Sequence, residues 1–218
     1  MHSLIWTDIK ILLPWWAITV VASWLALAGT PANENGDYPL MCLGLGCGLL
    51  GAKAFSRPLP QGERETSPLG RAWTIQMSAA SITGLAAAAA FTLFSAELRV
   101  SSGLPIPLLA VLTLTPALGI VPYLTLRTHH PFAAVVLAAL VVGLIKIASC
   151  VVVRIVYGPD ALADGYMAGD WQTAKLMISL FWTGTVIISV VSAAACRHRC
   201  NSWLTAAPQR NWSDKTAA

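Results

Sequence analysis

The chain has 218 residues, of which 56% are apolar and only 11% charged, with a formal net charge of +4. Soluble domains carry about 25% charged residues, so this composition excludes a water-surrounded globule as the main body of the chain. The positive excess needs no nucleic acid as partner, because the basic residues gather between apolar runs, where anionic lipid headgroups lie.

Six apolar stretches run at about 11–29, 40–55, 73–96, 104–126, 132–157 and 176–196. Most approach the roughly 20 residues that cross about 30 Å of hydrocarbon at 1.5 Å per residue. The expected fold is all-α: a polytopic transmembrane helical bundle with six spans. It forms a single transmembrane domain over 1–204, followed by a disordered tail over 205–218.

Residues 1–10 interleave Leu4, Ile5, Trp6 and Ile9 with Asp8 and Lys10. They suit either an amphipathic interfacial turn or a frayed terminus. Lys10, the apolar run and Ala26-Leu27-Ala28 resemble a cleavable signal peptide. The run is long for one and holds Trp15, Trp16 and Trp24, so an uncleaved first span is expected. The first linker carries Glu34 and Asp37 and no basic residue. In the second span Gly44, Gly48 and Ala52 recur every four residues and bare one helix face for close packing. The next loop, 53–71, is basic, with Lys53, Arg57, Arg64 and Arg71 against Glu63 and Glu65.

The third span repeats the small-residue pattern at Ala80, Gly84 and Ala88, and the linker after it holds Glu97 and Arg99. Pro105, Pro107, Pro116 and Pro122 punctuate the fourth span, where prolines free backbone carbonyls and kink helices. A short basic loop follows, with Arg127, His129 and His130. Lys146 falls near the middle of the fifth span and Arg154 lies eight residues on, about the same face. A mid-bilayer charge costs at least about 2.5 kcal/mol on insertion scales. Lys146 and Arg154 are therefore the substrate-pathway candidates. Lys146 meets freed carbonyls, an anionic substrate or a lipid headgroup, or else it snorkels. The linker over 158–175 is acidic, with Asp160, Asp164 and Asp170, and the tail is basic again. Basic loops stay on the cytoplasmic side, so both termini are expected inside, in a bacterial cytoplasmic (inner) membrane.

The five cysteines form no disulfide framework: Cys42, Cys47 and Cys150 fall within spans, while Cys196 and Cys200 lie on the inner side, where thiols stay reduced. Gly46–Lys53 lacks the spacing and the Ser or Thr of a phosphate loop. No H-E-x-x-H or G-x-S-x-G motif occurs, and no span holds a His or a pair of aspartates. Cys196 and Cys200 share a helix face from which His198 points away, so no metal site is expected. No enzyme and no cofactor are expected.

The layout resembles the membrane (permease) subunit of type-2 ATP-binding-cassette (ABC) transporters. The residues that carry the likeness are Phe55, Glu65, Thr66, Pro68 and Arg71 ahead of Trp73, and the segment from Thr115-Pro116 through Arg127-Thr128-His129-His130-Pro131-Phe132. The resemblance implies an interfacial N-terminal helix over 1–10 and an external helical element over 158–175. It also implies an ATPase-coupling loop with Arg57, Glu63, Arg64, Glu65 and Arg71. Partners would be the lipid bilayer, a separate ATP-binding subunit and a second membrane subunit, in a homo- or hetero-oligomer. Two other classes share this length and span count: a non-catalytic accessory or scaffold subunit of a larger membrane complex, and the substrate-binding membrane subunit of an energy-coupling-factor importer.

Overall fold

The computed structural model describes residues 2–29, 37–56, 71–95, 104–158 and 171–205. The described chain is helical: α1 (His2–Ala28), α2 (Asp37–Phe55), α3 (Arg71–Phe94), α4 (Ile106–Thr128), α5 (Pro131–Tyr157) and α6 (Trp171–Thr205). All six contain a segment long and apolar enough to cross a membrane. By length and composition these are the helices of a multi-pass membrane protein.

α1 departs from the expected boundary. It starts at His2, not near residue 11, and runs without a break through Pro14. Pro14 leaves the Lys10 carbonyl without its helical donor. Both residues are exposed, so the freed carbonyl lies on the side of the helix where water or headgroups can serve it. An interfacial element over 1–10, separate from the first span, is thus absent among the described residues. The loops that the ABC likeness invokes, 57–70 and 159–170, lie outside the described residues, as do the side chains of Arg57, Glu63, Arg64, Glu65 and Arg71.

Packing fixes how the helices alternate. One apolar cluster joins Leu12, Leu50, Ala54, Phe55, Ala79, Ala80 and Cys196. It brings the start of α1, the end of α2, the start of α3 and the end of α6 to one pole, the pole that carries Lys53 and Arg197. A second cluster joins Leu40, Leu43, Ala87, Ala88, Phe91, Leu109 and Ala110 at the opposite pole. A third seats Ala134, Val135 and Ala138 of α5 on Ala52, Ile120 and Val121. The inner pair is α2 and α4: 61% and 50% of their apolar windows are buried, against 17% for each of α1, α5 and α6.

Small residues make that inner pair possible. The alanine Cβ that Gly51 lacks would stand 2.5 Å from the Ala117 carbonyl oxygen. At Gly119 a Cβ would overlap the Ser189 backbone of α6, and at Gly46 the Thr19 side chain of α1. These backbones approach until only hydrogen fits between them, which maximises dispersion contact where lipid supplies no hydrophobic drive.

Several hydroxyls in the spans are satisfied locally, whereas Ser189 Oγ and the Trp16 and Trp73 indole nitrogens are buried without a partner among the described residues. Thr19, Ser23, Thr83, Thr125, Ser149 and Thr185 each donate to a carbonyl one turn back, at 2.7–2.9 Å. Pro116 frees the Leu112 carbonyl, and the adjacent Thr115 hydroxyl donates to it at 2.7 Å. The α4–α5 connection is short because His129 takes a left-handed conformation, φ 58°, as its N–H reaches the Thr125 carbonyl. Pro131 then opens α5 in the first helical turn, where a missing donor costs nothing.

Candidate functional site

The small residues singled out in the sequence pack within the chain. A Cβ on Gly48 would stand 3.6 Å from Val121 and Val135, one on Gly44 would stand 3.8 Å from Thr113, and Ala52 is fully buried against α4 and α5. A Cβ on Gly84 would stand 3.1 Å from Leu114, while Ala80 and Ala88 lie in the apolar clusters at the two poles. Gly46, Gly51 and Gly119 make the tightest approaches. They fall off the four-residue stripe because each faces a different helix.

Lys146 and Arg154 lie on α5, and both are exposed. Neither side chain bonds to any described residue. Leu140, Leu144 and Ile147 are 59%, 64% and 60% exposed and lie about 100–160° around α5 from Lys146, whose own helix face also carries the half-buried Val142 and Cys150 and the buried Ser149. A Cβ on Gly143 would have no atom within 4 Å. The inward side of this half of α5 is held by α6, through Ile145 against Gly184 and through the Cys150 thiol, 3.7 Å from the Met177 sulfur.

The depth of Lys146 follows from a relay of contacts. Ile145 abuts Gly184, and Ser189, about 7 Å along α6, abuts Gly119. Moving the same distance along α4 from Gly119 reaches the level of Leu114 and Thr113, which face Gly84 and Gly44. Lys146 therefore lies level with Gly44. That level is about 10 Å from the Asp37 end of α2 and about 14 Å from Lys53. An extended lysine reaches about 6 Å, short of either end. Arg154, about 12 Å further along α5, is at the rim.

The pole that carries Lys53 and Arg197 holds a second arrangement, invisible in the sequence because its members are distant along the chain. The Lys53 ammonium lies 4.7 Å from the Trp15 ring centre and 6.0 Å from that of Phe132. The Arg197 guanidinium lies 5.8 Å from the Trp73 ring. An open cleft of about 350 Å³ lies beside it, lined by Trp73, Ala193, Ala194, Arg197 and His198. Tryptophan rings with cations at a span's end suit the membrane–water boundary. Cys196 is buried while His198 is exposed, and among the described residues no three His, Cys, Asp or Glu side chains gather as they would for a metal.

Comparison with family models, with curated proteins and with solved structures gives no match.

Proposed function

We propose that this chain is the membrane-embedded permease subunit of an ABC-type exporter, resident in a bacterial cytoplasmic membrane and energised by a separate ATPase. One observation supports this reading above others. The helices pack on an apolar interior, whereas the charged side chains of α5, Lys146 and Arg154, face outward. A polar path would then run between this chain and another membrane subunit, as in a transporter assembled from half-units.

In this reading the pole with Lys53 and Arg197 faces the cytoplasm, following the distribution of basic residues. The loop with Arg57, Glu63, Arg64, Glu65 and Arg71 docks the ATPase. The chain itself performs no catalysis. The inner pair of α2 with α4, which carries Pro116 and Pro122 within its helix, is the element about which the bundle rocks. The continuity of α1 favours a second reading, a non-catalytic accessory subunit of a larger membrane complex, because the interfacial N-terminal helix of the ABC layout is replaced by one unbroken span.

Purification of the tagged chain in mild detergent, with mass spectrometry of what accompanies it, separates the two. The permease reading expects an ATPase with a Walker motif, lost when Arg64→Glu and Arg71→Glu are combined. Recovery with membrane proteins but with no ATPase would leave the accessory reading.

A further inference from the structure

At the pole that carries Lys53 and Arg197, α6 ends beside the start of α3. α6 packs chiefly on α4 and α5, and it meets α3 here through Arg197 over the Trp73 ring. Ala193 and Ala194 are small, so about 350 Å³ stays open between them, Trp73, Arg197 and His198. That is the size of a small-ligand cleft.

The chemistry of the occupant follows from the cations. Arg197 and His198 are both exposed. Arg197 has the Trp73 ring as its contact, and neither side chain bonds a described residue, the Asp8 carboxylate of this pole included. A guanidinium presents five N–H donors in a planar fork that matches the oxygens of a phosphate. The cleft lining holds no carboxylate, so it offers nothing to the cationic half of a zwitterionic headgroup.

The surface that the cleft opens onto fixes the rest of the ligand. At about 100° per residue, Ile187, Val190, Val191, Arg197 and His198 all lie within about 60° of the Ala194 direction on α6. Ile187, Val190 and Val191 are 55%, 63% and 62% exposed. An apolar lane therefore runs along α6 into the cleft. From Ile187 to Arg197 it measures about 15 Å, the hydrocarbon depth of one leaflet when the core is about 30 Å thick. A lane of that depth, ending on cations beside a tryptophan, has the layout of one phospholipid, with a chain along the helix and a phosphate at the boundary. A water-soluble phosphate would meet the cations and leave the lane uncovered.

We infer that the cleft between α3 and α6 binds an anionic phospholipid. Arg197 and His198 hold its phosphate beside Trp73, and one acyl chain lies along Ile187, Val190 and Val191. The inference rests on the chain crossing a bilayer. It does not depend on the ATPase.

The test uses the full chain, purified in mild detergent, with a phosphatidylglycerol that carries a photoreactive diazirine in its acyl chain. Mass spectrometry of the digested protein locates the adduct. The expected adduct falls within 187–194. Excess unlabelled phosphatidylglycerol should remove it, whereas phosphatidylcholine of the same chains, or inorganic phosphate, should leave most of it. Arg197→Gln should cut the yield about tenfold or more, as loss of a charge-assisted hydrogen bond does. Arg127→Gln, at the same pole but outside the cleft lining, should leave it unchanged. If Arg197→Gln fails to accumulate, Ala194→Phe decides: it fills the cleft, keeps the charge and should lose the adduct. Equal competition by phosphatidylcholine, an adduct confined to other spans, or an unchanged yield in either cleft variant would overturn the inference. Removal of the adduct by inorganic phosphate would assign the cations to a free anion and overturn it as well.

Discussion

Replacing Gly51 by Ala tests the packing of the inner helix pair. The added methyl would stand 2.5 Å from the Ala117 carbonyl oxygen and 3.9 Å from Pro122 Cγ. Ordinary contact begins near 3.5 Å, so α2 and α4 must part by roughly 1 Å. The obstacle is backbone and cannot rotate away. Overpacking of this kind costs about 1–3 kcal/mol, and the better helix propensity of Ala returns about 0.5–1 kcal/mol. The net expectation is a loss of about 1–2 kcal/mol. Gly143→Ala is the matched control: nothing lies within 4 Å of its Cβ, so only the propensity gain remains and stability is unchanged or slightly higher. Unfolding by SDS in mixed micelles, followed by helicity, measures both in the purified chain. A Gly51→Ala protein as stable as the parent would refute the close approach of α2 and α4.

Thr115→Val removes the hydroxyl that serves the Leu112 carbonyl freed by Pro116 and should cost about 0.6–1.7 kcal/mol in the same assay; no loss would mean that the carbonyl is served otherwise. Lys53→Met and Trp15→Leu should each destabilise, and a double-mutant cycle should give a coupling of about 0.5–1 kcal/mol, whereas additive effects would deny the ring contact. Lys146→Leu should leave the isolated chain within about 0.5 kcal/mol of the parent, as expected for an exposed side chain with no bonding partner among the described residues. A loss near 2 kcal/mol would place Lys146 inside the bundle's own bonding.

Much of this fold is written in hydrophobic run length, which needs no knowledge of neighbours. The six apolar windows match the six helices because each run approaches the thickness of a bilayer. The start of α1 was illegible: Asp8, Lys10 and Pro14 read as interruptions, yet Lys10 and Pro14 sit on an exposed side where helix and solvent both tolerate them. The small-residue stripe at Gly44, Gly48 and Ala52 is visible as a period of four. Gly46 and Gly51 are not, since each is matched to a different helix and the match depends on tertiary geometry. The residue type and approximate depth of Lys146 can be read from the chain. That it faces outward cannot, because α5 is apolar on every side and gives no strong sign of which side packs. The contact of Lys53 with Trp15 and Phe132 joins three segments far apart in sequence, and no local pattern encodes it.

The functional account rests on six crossings that put Lys53, Arg127 and Arg197 on the side of the ATPase. Single cysteines at Gly29, Ser56, His129 and Gly158, in a chain whose own five cysteines are replaced by alanine, report this directly through a membrane-impermeant maleimide applied to intact cells. The account predicts labelling from outside at positions 29 and 158, and labelling at 56 and 129 only after the membrane is opened. Labelling of 56 or 129 in intact cells would contradict it.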